Sequence, residues 1–538
     1  MAVLLFPGRH HALTNYQRDY LARVLAAPRD TLRDLRGRPL KLSGPVDTVL
    51  WAVTSANHAN TRRNPLPAHH REVAIELFAL GLPGKHYVYL VDDVGRSPRF
   101  AEYVVKKIEV ESRGRFRLAP ENCVVGCSTP EVLAQYETLG FQILPVELEA
   151  LDPPRFAART PWELLTECVD AGLNGADFRA TPAWQSALAP ATRDLFEKYA
   201  YPEMLLDLFR DPLLGDDGDL TATRDYNTYV RSFDEGAPRK YEIVKPFMLP
   251  GRIVDVGCCT GSVIREMTLD ERLDESDFYG IEVARHLHEE CLHRKEQGHF
   301  ANEHVFFYRR NAAQRGIFPP HSVNVFTTFS LTHELESYQG RGALTGFLRL
   351  LFEQLAPGGR WLNVDVVGPE DGGREVRLWL DAADGRNGDW ERAFPADARD
   401  ELRAYLDGLS TAARFLRFAR DYRAAEGYAL PHRYEDGPAG RVAVLALRDA
   451  CEFLSKKDYT DNWQSEMHET FCFWSFADWT RAAEAAGFRI HPGSRAYANP
   501  WSIRNRYEGR ARLYERRGDA LEPIPWPPTN LLLVAEKP

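Results

Sequence analysis

Residues 1–150 alternate short apolar runs with amphipathic stretches. Val3–Phe6, Thr48–Val53, Tyr87–Val91, Cys123–Gly126 and Phe141–Pro145 read as buried strands, and Asn15–Ala26 and His69–Ala79 read as helices. Apolar runs joined by helical patterns predict a parallel α/β sheet, because parallel strands are covered on both faces. Residues 150–215 read as helical with Pro and Asp breaks, and Leu214-Gly-Asp-Asp-Gly-Asp219 is a polar linker candidate. A second α/β pattern runs from near Tyr241 to about Val367. Residues 370–480 read as mostly helical, apart from polar loops around Gly372 and Gly437. Short strands at Arg489–Ile490 and Leu531–Ala535 are expected to complete the second sheet.

With 538 residues the chain is too long for one ordinary domain. Its net charge of −10 argues against an extended nucleic-acid surface, which needs clustered Lys and Arg. No apolar run approaches the roughly 18 residues needed to span a bilayer. The apolar start, Met1 to Phe6, reads as a strand rather than a signal peptide, so a cytoplasmic location is expected. Eight cysteines lie scattered without CxxC pairs, which predicts free buried thiols and no structural metal.

Candidate chemistry concentrates in the second half. In Gly251-Arg-Ile-Val-Asp-Val-Gly-Cys-Cys-Thr-Gly-Ser262 an apolar strand ends in a Gly-bearing turn before a helix. Doubly wound sheets bind ligands at such strand ends, and Gly257 and Gly261 allow close backbone approach. Asp277-Phe-Tyr-Gly-Ile-Glu282 follows, with an acidic residue closing a second strand. Then come Val305 to Asn311-Ala312, a fourth strand Ser322–Ser330, and a turn into a fifth at Leu355–Val364. The order and spacing of these segments resemble the class I S-adenosylmethionine (SAM)-dependent methyltransferase family over about residues 240–365 and near the C-terminus. The Asp-x-Gly-x-x-x-Gly pattern is not the GxGxxG of nicotinamide dehydrogenases.

The resemblance implies SAM as cofactor, bound by Asp255, Gly257, Cys258, Cys259, Thr260, Gly261, Glu282, Val283, Asn311, Ala312 and Phe329. Asp255 would face the methionine amino group, Glu282 the ribose hydroxyls and Asn311 the adenine edge. Cys259 stands where the family usually has Gly, and Asn311 and Asn324 where Asp is common. Thr332-His333-Glu334 resembles the segment flanking the methyl-transfer pocket, which makes His333 and Glu334 candidate catalytic groups, though capping or packing suits His333 equally. The string Lys456–Trp463, Glu466, His468, Glu469 and Phe471–Trp479 mixes aromatics with acids, as a pocket for a flat or amine-bearing substrate would. Tyr459 and His468 are further catalytic candidates, and Asp461 and Asn462 substrate contacts.

The first strand runs into Gly8-Arg-His-His-Ala-Leu-Thr-Asn-Tyr-Gln17. With Asn64–Arg71, Val124–Gln135 and Arg159–Leu165, this resembles the nicotinamide-nucleotide adenylyltransferases over about residues 1–200. The resemblance implies nucleotide contacts at Gly8, Arg9, Thr14, Asn64 and Arg71. The two phosphoryl-stabilising histidines of that family are replaced by Thr14 and Gln17, so binding without adenylylation is expected, since phosphoryl transfer depends on positioned electrostatics.

The expected fold class is therefore α/β, with two Rossmann-like doubly wound parallel-sheet domains, residues 1–215 and 216–538. The second carries a mainly helical substrate-pocket insertion at about 370–485. The expected function is SAM-dependent methylation of a small molecule, nucleotide-bearing or NAD-derived, in a biosynthetic setting. A homodimer is compatible with the sequence. A bifunctional adenylyltransferase/methyltransferase and a non-catalytic SAM- and nucleotide-binding scaffold stay open as alternatives.

Overall fold

The computed structural model describes residues 2–94, 97–151, 153–211, 214, 226–395, 398–437 and 440–538. The chain divides into two compact units, Met1–Gly218 and Asp219–Pro538. The linker candidate at 214–219 lies, apart from Leu214, outside the described residues.

In the first unit, β1 (Ala2–Gly8), β2 (Val46–Thr54), β3 (Lys85–Val91), β4 (Cys123–Gly126) and β5 (Gln142–Leu144) form one sheet in the order β3-β2-β1-β4-β5. Every pairing is parallel. Alternate residues of the central strands serve opposite cores. Leu4, Phe6, Val49 and Trp51 pack with α1 (Asn15–Ala26) and α2 (Ala68–Ala79). Val3, Leu5, Leu50 and Ala52 pack with α3 (Phe100–Glu111) and α4 (Pro130–Thr138). Burial on both faces is why these strands are continuous apolar runs in sequence. The chain passes from β3 back across to β4, so the strand order reverses between β1 and β4, and their carboxyl ends diverge into a crevice.

After β5 the stretch expected to be helical begins instead with an antiparallel pair, β6 (Leu148–Leu151) and β7 (Pro154–Phe156). Helices α5 (Pro161–Leu173), α6 (Pro190–Lys198) and α7 (Tyr201–Arg210) follow.

The second unit opens with α8 (Tyr226–Val244). Five parallel strands follow: β8 (Arg252–Val256), β9 (Asp277–Glu282), β10 (Val305–Arg309), β11 (Val323–Phe329) and β12 (Leu355–Val366). Helices α9 (Ser262–Thr268), α10 (Arg285–Glu296) and α11 (Thr332–Gln354) connect them.

The segment expected to be mainly helical holds helices α12 (Arg399–Asp407), α13 (Thr411–Asp421), α14 (Leu447–Lys456) and α15 (Trp463–Glu466). It also supplies β13 (Glu375–Leu380), β14 (Arg433–Gly437) and β15 (Gly440–Ala446), and this is a correction to the sequence reading. β13 alternates polar and apolar positions with period two from Glu375 to Leu378. Val376 and Leu378 face a core with Leu406, Phe415 and Phe453, while Arg377 pairs with Glu435 across strands. Such short alternations are hard to separate from helix by periodicity alone.

Helix α16 (Phe476–Ala485) returns to the main sheet, where Trp479 and Ala483 pack with Trp361 and Leu533. Then come β16 (Arg489–Ile490), β17 (Arg495–Tyr497), β18 (Ala511–Arg517), β19 (Ala520–Pro523) and β20 (Asn530–Glu536). The main sheet runs β10-β9-β8-β11-β12-β20-β16, with β17 also on β20, and β20 is antiparallel to β12. The final strands do complete it. β18 and β19 extend the inserted sheet, ordered β14-β15-β13-β18-β19. All eight cysteines are buried free thiols. Among the described residues, no helix is long and apolar enough to cross a membrane.

Candidate active site

The strand order of the second unit reverses between β8 and β11, and the turn from β8 to α9 sits at that point. Asp255 ends the apolar run of β8 and is buried. Its Oδ1 accepts a 2.7 Å hydrogen bond from Thr327 Oγ1 on β11, while its buried Oδ2 has no partner. Burial pushes this carboxyl up to about 7, against the Thr327 bond and the charge of Lys240. An acceptor held this way is suited to a cationic ligand group.

The loop after it is tight. Gly257 and Gly261 take positive φ of 72° and 76°. A Cβ on Gly257 would lie 2.9 Å from Leu331 Cδ1, and one on Gly261 would lie 3.0 Å from Phe307 Cζ. Cys259 adopts φ 54°, so the non-glycine residue there keeps the left-handed backbone of the turn, at a cost of roughly 1 kcal/mol. Cys258 and Thr260 are buried in the same loop. Asp234 on α8 clamps it. Asp234 Oδ1 accepts from Thr260 Oγ1 at 3.0 Å and from Ser262 Oγ, and Arg294 on α10 pairs with its Oδ2 at 2.9 Å.

Glu282 closes β9 beside the loop. Its carboxylate accepts backbone N–H groups from Cys259 (3.0 Å), Val283 (2.8 Å) and Ala284 (2.9 Å). Burial nonetheless pushes it up to about 7. Asn311, after β10, is buried and its Oδ1 accepts from Ala313 N at 3.0 Å, with Ala312 half-buried beside it. Phe329 ends β11 in the core beneath the loop. Asn324 lies elsewhere: it begins β11 and accepts from Arg252 N at 2.9 Å, at the opposite end of the sheet.

His333 lies in the first turn of α11, directly after β11. Its Nδ1 is 2.6 Å from Asp365 Oδ1 on β12, and its Nε2 is 3.5 Å from Glu469 Oε2. Burial opposes a charge on the ring, but Asp365 and Glu469 outweigh it and hold its pKa well above the usual histidine range. Asp365 in turn accepts from Thr332 N, Thr332 Oγ1, His333 N and Val366 N. Ligand atoms of His333, Glu334 and Glu469 all lie within 4.8 Å of one another. Lys240 of α8 is within electrostatic reach of Asp255, Asp365 and Glu334, and burial lowers its pKa to about 8 against those carboxylates. One ammonium thus relates the loop carboxylate to the group around His333.

The string after α14 divides. Glu469 turns inward to His333, while its neighbour His468 is exposed and bonds Glu426 at 2.9 Å. Tyr459 packs edge-on to Phe471 under the guanidinium of Arg506. Asp461 is half-buried and Asn462 buried at the start of α15. Asp365, Lys240 and Asp234 were not singled out from sequence. Asp365 had a usable signal, an acid at the end of the fifth strand; the two α8 residues carried none.

The first unit has its own cavity of about 320 Å³ where β1 and β4 diverge, lined by Gly8, Arg9, His10, His11, Ser128 and Trp162 among others. The Arg9 guanidinium stacks 5.0 Å over the Trp162 ring. His11 is buried, with Nε2 3.4 Å from Asn64 Oδ1 and Nδ1 without a hydrogen-bond partner. Thr14 and Gln17 form a capping box at the start of α1, and Gln17 Nε2 also donates to buried Glu147 at 2.9 Å. Arg71 is fully buried, and its guanidinium donates to the carbonyls of Arg9, Thr54, Ser55 and His58. It ties strand ends and loop together rather than lining the cavity.

No protein-family model and no curated protein sequence matches the chain. Solved structures similar to part of it include a SAM-dependent methyltransferase from Mesorhizobium loti, 15% identical, covering 56% of this chain and 100% of that one, with a TM-score of 0.30. Another, from Methanosarcina mazei, is 13% identical over 55% of this chain and 97% of that one, with a TM-score of 0.29. A geranyl diphosphate C-methyltransferase from Streptomyces coelicolor A3(2), in complex with Mg2+, geranyl diphosphate and S-adenosyl-L-homocysteine, is 9% identical over 60% and 86%, with a TM-score of 0.29.

Proposed function

We propose that this chain is a SAM-dependent methyltransferase acting on a small molecule that carries a nucleotide or NAD-derived group. In this reading residues 1–215 recognise the nucleotide and residues 216–538 perform the transfer. The observation that carries it is Asp255, a buried carboxylate with an unpartnered oxygen at the switch point of a parallel sheet. The residues fit the cofactor. Asp255 Oδ2 takes the ammonium. Glu282 has spent three acceptor positions on backbone N–H groups, two on Oε1 and one on Oε2, so one remains on Oε2 for a ribose hydroxyl. The positive-φ turn at Gly257 and Gly261 leaves backbone close to the ligand, and Asn311 and Ala312 border the base.

When bound, SAM supplies a methyl group activated on a sulfonium. The protein's part is then to position the acceptor and exclude water. His333 and Glu334 follow β11, the strand that carries Thr327 against Asp255, and we assign acceptor contact to them. Tyr459, Asp461 and Asn462 belong to the inserted wall. In the first unit, Arg9 over Trp162 with the unpartnered His11 Nδ1 supports binding of an aromatic, anionic ligand. The engagement of Gln17 by the α1 cap and Glu147 favours binding over adenylylation.

Calorimetry with SAM and S-adenosylhomocysteine tests the donor site, and conversion of SAM with a small-molecule extract tests turnover. No affinity for either nucleoside would overturn the methyltransferase reading. No affinity for NAD, nicotinamide mononucleotide or related dinucleotides would overturn the nucleotide-substrate reading.

A further inference from the structure

We propose that His333 Nε2, Glu334 and Glu469 form a divalent-cation site of the Mn2+, Fe2+ or Zn2+ class, whose remaining coordination positions take oxygen atoms of the acceptor. The role toward the acceptor rests on the methyltransferase reading; the binding of the cation does not.

The three residues come from two separate parts of the chain. His333 and Glu334 begin α11, and Glu469 follows α15 in the inserted segment. Their ligand atoms lie within 4.8 Å of one another. Metal–ligand bonds of about 2.0–2.2 Å put donor atoms roughly 3 to 4.4 Å apart, so small side-chain adjustments bring all three onto one ion.

The ring of His333 is already set as a metal-bound imidazole would be. Asp365 Oδ1 holds Nδ1 at 2.6 Å, which aims Nε2 at Glu469 Oε2, 3.5 Å away. Asp365 cannot swing, because Thr332 N, Thr332 Oγ1, His333 N and Val366 N all donate to it. A carboxylate behind the distal nitrogen is the usual support of a metal-binding histidine. Glu469 is oriented likewise: Tyr338 OH donates to its Oε1 at 3.0 Å, leaving Oε2 on the His333 side.

Charge points the same way. Asp365, Glu334 and Glu469 bring three carboxylates to one imidazole. The buried Lys456 donates to the carbonyl of Glu469 and pairs with the carboxylate of Glu452 at 3.2 Å. Lys240 reaches Asp365 and Glu334 from α8. One nitrogen with two carboxylates suits borderline first-row cations better than Ca2+.

The test uses the full chain stripped with EDTA and titrated with MnCl2, read by calorimetry and by electron paramagnetic resonance. One saturable Mn2+ per chain is expected, with a nitrogen coupling in the spin-echo modulation that disappears in His333→Gln. Glu334→Gln and Glu469→Gln should each weaken binding at least 10-fold. Glu334 is only half-buried, so its variant keeps the fold, which unfolding curves verify. No saturable uptake of Mn2+ or ZnCl2, uptake unchanged in both Glu variants, or bound Mn2+ without nitrogen coupling would each overturn the site, leaving His333 as an imidazolium between two carboxylates. SAM affinity measured separately in EDTA distinguishes the two ideas. SAM binding without Mn2+ uptake removes the metal site alone, and Mn2+ uptake without SAM binding removes the methyltransferase reading alone.

Discussion

Replacing Asp255 by asparagine keeps the shape of the side chain and removes its charge. Two effects of opposite sign follow. In the ligand-free protein the carboxyl is raised from the ordinary 3.8 to about 7, mainly by burial. A raised carboxyl disfavours ionisation in the folded state, so stability falls as pH climbs from about 4 to about 7 and stays low above that. The full difference is about 4 kcal/mol at pH 8 and about 1 kcal/mol near pH 4.5. Asparagine does not titrate. Its oxygen still accepts from Thr327, but its amide nitrogen takes the unpartnered Oδ2 position and returns about 1–3 kcal/mol of that gain. The variant should therefore melt a few degrees above wild type at pH 8, with the advantage shrinking or vanishing near pH 4.5.

Ligand binding responds in the other direction. An ammonium about 3 Å from a carboxylate at an effective dielectric near 20 gains at most about 5.5 kcal/mol, and about 2–4 kcal/mol after desolvation. Asp255→Asn should weaken SAM roughly 30- to 1000-fold by calorimetry at pH 8. Wild-type affinity should itself fall up to about tenfold per unit as pH drops below 7, where the carboxyl takes up a proton. Affinity within threefold of wild type, or a variant less stable than wild type at pH 8, would refute the assignment of Asp255.

Other positions give sharper local outcomes. Glu282→Gln leaves one of three backbone N–H groups facing an amide donor and removes the ribose acceptor, so SAM affinity should drop roughly 10- to 100-fold by calorimetry. Arg71→Met strips donors from four carbonyls and should cost the first unit about 3–5 kcal/mol in scanning calorimetry; unchanged unfolding with lost nucleotide affinity would make Arg71 a ligand contact instead. Gly280→Ala puts a Cβ 2.5 Å from Phe307 Cδ1 and 2.8 Å from Cys258 Sγ, an overpacking of about 1–3 kcal/mol visible in thermal melts of the second unit. Arg9→Ala should weaken nicotinamide mononucleotide about tenfold without shifting the melting of the first unit, because the guanidinium stacks on Trp162 at the cavity rather than in the core.

The parallel strands were legible because both faces are buried. Val3 to Phe6 and Ile253 to Val256 are apolar at nearly every position, and no other element type suits so short a run beside a helix pattern. The inserted sheet was not, for the opposite reason. Its strands are short and carry charged positions such as Arg377, Glu435 and Arg516 that pair with one another, and they stand next to strongly amphipathic helices such as α13. The geometry of the loop from Asp255 to Gly261 could be read residue by residue, since it is local: positive-φ glycines and one strand-end acid. Cys259 looked like a departure in sequence. The structure shows it holding the backbone conformation a glycine would adopt, so the turn survives the substitution.

The group around His333 resists sequence reading for a physical reason. The loop after β8 is built from consecutive residues, whereas the group around His333 is assembled by tertiary packing from β12, α11 and the inserted segment. Between His468 and Glu469 the sequence offers no choice, since both are polar neighbours after a short helix. The choice is made by the twist of the backbone: Thr470 N donates to Ser337 Oγ on α11 at 2.8 Å, and Lys456 fixes the Glu469 carbonyl. Those two anchors turn Glu469 inward and leave His468 on the surface. Ser337 on α11 thus helps decide which of the two side chains faces His333, and under the proposed function Ser337→Ala should weaken acceptor binding in calorimetry while SAM affinity stays unchanged.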